Sequence, residues 1–340
     1  MGGKEPVSVS VVFATYNRKE MLKECLDSLC NQTYPKDKYE IIVVNDGSTD
    51  GTEEVLREYE EKAPCKFRWF TQKNQGVAAA RNNGIKKTIG EIICFTDDDC
   101  IADEKWIKEL VKALDDEKIG GVGGRIEAYN PETLVGKYGG KIVNQEANIN
   151  VFVLTGSSLF RKNVIEKIGG FDENLRRCED IDFGIRIKLE GYELKYAPKA
   201  IVYHRHRCTF RGLIKQHYEY GIGMAMLNKK YINAFHLRYH IPVLTFRIIR
   251  SIASIGCLPF IKNRKNYLLE NFFQIIISAS TLAGLVKGKL CEKYPGTKVN
   301  NRIEFINESL TDAVRKKISA LKSYTKSTFL YHYLLSFFRR

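Results

Sequence analysis

Asp97, Asp98 and Asp99 stand side by side after the apolar run 91–96, EIICFT. Three adjacent carboxylates repel one another and need a cation. Oxygen ligands suit a hard divalent ion, Mg2+ or Mn2+, and such an ion commonly also holds phosphate. The alternative is a solvated acidic turn. Asp46 lies in Asn45-Asp46-Gly47-Ser48-Thr49-Asp50. That run reads either as a turn with a helix cap or as an acid that accepts from a nucleobase edge. Arg81 follows Gly76 in Arg81-Asn82-Asn83-Gly84. Its fork could grip phosphate oxygens or make a surface salt bridge. Glu179-Asp180-Ile181-Asp182 opens a predicted helix. The positive end of the helix dipole favours ionised carboxylates there. A general base that takes a proton from a hydroxyl must be ionised in that way. Capping and an Asp182–Arg186 pair would explain the same residues. His204 and His206 alternate with Arg205 and Arg207. His204 could complete a metal shell, touch a diphosphate, or be structural.

Such residues act together only if a scaffold brings them to one place. Residues 7–14 (VSVSVVFA), Tyr39–Asn45 (YEIIVVN), 67–70 and 91–96 read as strands. Between them, Lys19–Cys30, 52–61 and Val77–Lys87 read as helices, the first from its i, i+4, i+8 apolar stripe. Helices are also predicted over 106–114, 161–168 and 178–190. Strands are predicted over 120–129 and 151–160, with two short ones around Pro198 in 192–203. Residues 130–150 read as loop-rich. The alternation implies right-handed βαβ units and an α/β fold with a mainly parallel sheet flanked by helices. In open parallel sheets, ligands bind beyond the carboxyl ends of strands. Three predicted strands end in polar residues: Ala14-Thr15-Tyr16-Asn17, Asn45-Asp46-Gly47-Ser48 and Asp97-Asp98-Asp99.

The chain has 340 residues, 44% hydrophobic and 28% charged. This excludes a wholly disordered, collagen-like or multispanning chain. Its net charge of +14 is unevenly spread. Residues 1–200 carry 30 Lys and Arg against 34 Asp and Glu; residues 201–340 carry 24 against 6. The basic part calls for an anionic partner. Nine scattered cysteines without a CxxC or zinc spacing suggest a reducing compartment. Residues 1–6 lack the apolar region of a signal peptide, so a cytoplasmic location is expected, peripheral on the inner face of the cell membrane. Apolar stretches 241–260 and 272–286 are interrupted or short against the roughly 20 residues of a span. They read as interfacial helices or a shallow hairpin, or as a buried helical subdomain. Residues 328–338, followed by Arg339-Arg340, form another apolar and basic element.

The ordered set is more telling than its members. It comprises Ala14-Thr15-Tyr16-Asn17, Val43 to Asp50, Asn74-Gln75-Gly76 with Ala80-Arg81-Asn82, Phe95 to Asp99, Gly169-Gly170-Phe171-Asp172-Glu173, and Glu179-Asp180 with Arg186. The set closely resembles the family 2 inverting glycosyltransferases with a GT-A fold, over residues 7–205. The resemblance implies a GT-A catalytic domain over 1–205, with a nucleotide-sugar half at 1–100 and an acceptor half at 101–205. A basic, apolar helical region over 206–340 would associate with the membrane. The resemblance further implies metal-assisted transfer from a nucleotide-diphospho-sugar, foremost a UDP-sugar; a glycan or lipid-linked acceptor is expected. Ala14, through its backbone, and Asp46 match base contacts, and Arg81 a donor-site residue. Asp97 and Asp98 fall on the donor side of the DxD motif, and Asp99 matches its metal-binding acid, with His204 as a further candidate ligand. Asp180 matches the general base; Gly156, Phe171, Asp172 and Glu179 match the acceptor side. Asn45 departs from the second Asp of many members. No Gln-x-x-Arg-Trp is present, which disfavours a processive polymerase.

Competing readings fare worse. A sugar-nucleotide pyrophosphorylase wants a Gly-rich basic loop after the first strand, where this chain has Ala14-Thr15-Tyr16-Asn17-Arg18. A nucleic-acid-binding protein would explain the charge, but no such module is present and the basic residues interleave with apolar segments. An anionic membrane surface fits that mixture better than nucleic acid. A non-catalytic sugar-nucleotide binder leaves the candidate base and metal acids without a purpose.

Overall fold

In a computed structural model, the structure describes residues 9–129, 133–139, 145–231, 237–255 and 263–290. Strands β1 (Val9–Thr15), β2 (Tyr39–Asn45), β3 (Lys66–Thr71) and β4 (Ile92–Thr96) alternate with helices α1 (Lys19–Cys30), α2 (Thr52–Lys62) and α3 (Val77–Lys87). Then follow β5 (Cys100–Ala102), α4 (Trp106–Ala113), β6 (Ile119–Ala128), the short helices α5 (Leu134–Gly139) and α6 (Gln145–Asn148), and β7 (Ser157–Arg161). Next come α7 (Lys162–Ile168), α8 (Glu179–Leu189) and β8 (Glu193–His204). Three long helices complete the described chain: α9 (Phe210–Lys230), α10 (Leu237–Ile255) and α11 (Arg264–Leu290).

The strands form a single sheet in the order β3-β2-β1-β4-β7-β6-β8-β5. Pairing is parallel from β3 through β4 and antiparallel around β7; β6 and β8 are parallel again, and β5 runs antiparallel at the edge. The expected mainly parallel sheet is therefore the first half of a mixed one. β1 and β2 are β-branched runs because both of their faces are covered. Side-chain alternation sends Val9, Val11 and Phe13 to one core with α1, α2 and α4, where Leu22, Leu26, Leu56 and Trp106 meet them. Val12 and Ile42 turn to the other core, with Phe95, Phe160, Phe171 and Phe183.

Three expectations change. Residues 151–156 are not strand: the Val151 and Phe152 amides donate to the Asn148 carbonyl, making a turn whose Val153 is buried. An apolar run looks the same whether it enters a sheet or lines a core. Residues 192–203 hold one strand, not two. A register shift between Ala197 and Ile201 lets it pass Pro198, which has no amide to donate. The segment 130–150, expected to be loop, contains α5 and α6 among its described residues.

The apolar stretch 272–286 lies within α11, whose 27 residues are long and apolar enough to cross a membrane. Counting only the uninterrupted apolar core had made it too short. Residues 328–338 lie outside the described residues. The described residues all fall within one compact unit.

Candidate active site

Parallel pairing of β1 with β2 and β4 brings three polar strand ends to one rim. Thr15 is in register with Asn45, and β4 ends at Thr96, one residue past the pairing of Phe95 with Val12 of β1. Ala14 sits half-buried one residue before the end of β1. Asp46 follows β2 and is only 4% exposed. It accepts from Gln72 Nε2 at 2.8 Å and from the Gln75 and Gly76 amides at 2.9 Å each. Asp46 thus folds the 72–76 segment over the rim. Three of its roughly four acceptor sites are used, which leaves one for another donor.

The three consecutive aspartates point to three different places. Asp98 is buried, accepting from Thr15 Oγ1 at 2.9 Å and from Arg18 Nη1 at 2.7 Å. Burial pushes its carboxyl up to about 6 and Asp99 adds to this, while Arg18 restrains the rise. The same Arg18 nitrogen reaches Asp99 Oδ2 at 2.8 Å. The other oxygen of Asp99 faces His204 Nε2 at 3.4 Å. Burial would raise the Asp99 carboxyl, but His204, Arg18 and Arg207 hold it below the usual range. His204 closes β8 opposite Cys100, so the Asp99, Cys100 and His204 donor atoms all lie within 4.8 Å of one another. Burial keeps the Cys100 thiol protonated. The donors left, one carboxylate oxygen and one imidazole nitrogen, suit a divalent ion such as Mn2+.

Asp97 turns the opposite way. Arg81, 3% exposed, donates from Nη2 to Asp97 Oδ1 at 2.6 Å and from Nη1 to Glu179 Oε1 at 2.7 Å. Arg81 is therefore neither a surface ion pair nor a free anion grip. It ties α3, the end of β4 and the start of α8 into one ion triad, in which Arg81 and Glu179 are buried and Asp97 is partly exposed. Glu179 puts Asp180 next to this triad. Asp180 Oδ1 accepts from the Ile181 amide at 2.8 Å. The helix dipole alone predicts an ionised Asp180 well below neutrality. The structure gives the opposite direction: burial, then the Glu179 charge, push it up to about 7, with Arg81 only partly offsetting them. Desolvation outweighs the dipole because, among the described residues, the carboxyl makes one backbone hydrogen bond and no salt bridge.

The remaining residues lie around α8. Gly156 accepts through its carbonyl from Thr96 Oγ1 at 3.1 Å and lies against Asp97. Phe171 stacks on Phe183 with ring centres 4.2 Å apart, and its amide donates to Asn82 Oδ1 at 2.8 Å. Asp172 pairs with Lys230 of α9 at 2.6 Å. Asp182 pairs with Arg186 at 2.8 Å, as its spacing predicts. Sequence reasoning missed Thr15, Arg18, Gln72 and Asn82 as partners of the site. Arg18 had a visible signal, a basic residue just past a strand end that faces three acids.

The comparisons with known proteins follow this geometry. Residues 10–169 match the family described as glycosyl transferase family 2, and residues 92–286 match glycosyl transferase family group 2. Glycosyltransferase AglE of Haloferax volcanii is 32% identical over 63% of this chain and 72% of its own length. A poly-beta-1,6-N-acetyl-D-glucosamine synthase of Staphylococcus epidermidis is 30% identical over 63% of this chain, which spans only 54% of that protein. The fold is similar to that of a solved mannosyltransferase, PcManGT of Pyrobaculum calidifontis, with a TM-score of 0.59 and 20% identity over 82% of this chain and 88% of that one. TarS 1–349 of S. aureus gives 0.51 and 17% over 82% and 91%. With the rim, the acid cluster and the helix-borne carboxylate assembled on this sheet, the chain belongs to glycosyltransferase family 2 and has the GT-A fold.

Proposed function

We propose that the protein transfers a sugar from a nucleotide-diphospho-sugar to a hydroxyl of a glycan or lipid-linked acceptor, with inversion at the anomeric carbon. One observation carries this reading: Asp180, with its carboxyl near 7, adjoins the Arg81 triad that also contains Asp97 of the acid cluster. A general base works best with a pKa near the operating pH. Ala14 and Asp46 receive the nucleobase at the rim, and Asp97 the ribose side. Asp98 braces the cluster through Thr15 and Arg18. Asp99 and His204 would hold Mg2+ or Mn2+, which when bound neutralises charge on the leaving diphosphate. Asp180 takes the proton from the acceptor hydroxyl as it attacks from the face opposite the diphosphate. Gly156, Phe171, Asp172 and Glu179 border the acceptor side. Holding donor and acceptor together lowers the entropic barrier.

The solved relatives support the donor class. PcManGT was solved with GDP-Man and Mn2+, and TarS with UDP-GlcNAc. A UDP-sugar is our first choice, with guanosine donors as the comparison. A panel of both, scored for nucleotide release with and without EDTA and lipid-extract acceptors, tests the reading. Metal-dependent release from one sugar nucleotide is expected. Release from none would overturn it.

The C-terminal helices support a membrane-borne acceptor. Phe210, Ile214, Leu268 and Phe272 are exposed beside Arg211, Lys215, Arg264 and Lys265. Exposed aromatics and aliphatics among basic residues suit an anionic membrane surface. We place the enzyme on the inner, cytoplasmic face of the cell membrane. Flotation with anionic vesicles is expected to weaken as salt rises. Salt-insensitive or absent binding would contradict this placement.

A further inference from the structure

Asp180 is the second residue of α8, so the turn that opens α8 aims it. That turn is unusual. Cys178 adopts φ +64°, a left-handed conformation that side-chain-bearing residues avoid. Such a backbone persists only where its surroundings over-determine it. Here the surroundings are supplied by α9. Glu219 accepts from Arg177 through Nε at 2.9 Å and Nη2 at 2.7 Å. The Cys178 thiol reaches the Tyr220 carbonyl at 3.9 Å. Gly223, one helical turn beyond Glu219, lies flat on the turn. A Cβ there would stand 2.7 Å from the Arg177 carbonyl and 2.9 Å from Cys178 Sγ.

We infer that Glu219 and Gly223 of α9 are positioning residues for glycosyl transfer, gripping the Arg177–Cys178 turn so that α8 presents Asp180 to the acceptor. The inference rests on the assignment of Asp180 as base. Both residues act through Arg177 and Cys178, not on the reactants. The charged and titratable groups around Asp180 itself are Glu179, Arg81, Asp97, Cys178 and Tyr220. A consequence is that the helix bundle with the exposed apolar and basic face is joined directly to the base-bearing helix.

Substitution at either position tests this in the full-length enzyme. Glu219→Gln removes the charge from the grip, and Gly223→Ala pushes a methyl group into the turn. Each is expected to lower kcat about tenfold to a hundredfold, the range for a small misplacement of a reacting group. The KM for the sugar nucleotide should stay within twofold, since the donor rim is not touched. The melting temperature of Glu219→Gln should move little, because the Arg177–Glu219 pair is partly exposed. Adding Arg177→Glu to Glu219→Arg is expected to recover most of kcat. Unchanged kcat in both single variants would overturn the inference. So would donor KM and melting temperature worsening in step with kcat. If the wild-type enzyme is inactive on every donor, the proposed transfer fails, which is a separate outcome from an active enzyme indifferent to Glu219 and Gly223.

Discussion

Glu179→Gln is expected to make the enzyme work at lower pH. Asp180 is displaced from the usual carboxylate value near 4 to about 7, so its ionised form is disfavoured in the folded enzyme. Burial is the first cause and the neighbouring Glu179 charge the second. A base must be ionised, so turnover should rise about tenfold per pH unit below 7 and level off above it. Replacing Glu179 by Gln removes the like charge and leaves Arg81 with Asp97 alone. Both effects favour ionised Asp180. Gln keeps an oxygen to accept from Arg81 Nη1, so the triad's shape is preserved. A shift of about one pH unit is in the range for removal of one near charge. At pH 6 the ionised fraction then rises from about a tenth to about a half. The assay is initial-rate nucleotide release from pH 5 to 9 under saturating metal and donor. An acid limb that stays in place or moves upward in Glu179→Gln would refute the electrostatic reasoning.

Two other substitutions probe the parts that hold the site. Arg81→Met leaves Asp97 and Glu179 without their shared cation and should cost up to about 3–5 kcal/mol in urea unfolding, the range for breaking a buried ion pair from one side, reduced because Asp97 is one-third exposed. Asp46→Ala removes the acceptor of three hydrogen bonds from 72–76. Amide exchange at Gln75 and Gly76 should speed up, and nucleotide affinity should fall at least tenfold in calorimetry.

Much of this architecture could be read from local pattern. The alternation of β-branched runs with amphipathic helices predicted the first half of the sheet. The polar strand ends at Ala14, Asn45 and Asp97 predicted the rim. Where pattern failed, the cause was a distant partner. The alternative of a surface salt bridge for Arg81 fails because Glu179, 98 positions away, is invisible to local spacing. The dipole argument for Asp180 had the wrong sign because burial depends on the whole fold. Residues 151–156 have the composition of a strand, yet a turn to Asn148 buries them without one. The division of labour among Asp97, Asp98 and Asp99 was also hidden. It depends on Arg81, on Thr15 and Arg18, and on His204, which approach from different elements.

Stability and activity should pull apart at Asp180. Because its proton affinity is higher in the folded than in the unfolded chain, its contribution to stability is lost as pH rises from about 4 to about 7. Asp180→Asn removes a charge that the folded surroundings disfavour, so at pH 8 the variant should be at least as stable as the wild type. The most direct measurement is turnover of Asp180→Asn at pH 8, alongside calorimetric binding of the sugar nucleotide with Mn2+. The account predicts a fall in kcat of about 10²- to 10⁴-fold with donor affinity unchanged. Near-normal turnover, or donor binding lost together with turnover, would contradict the role of Asp180 as the base.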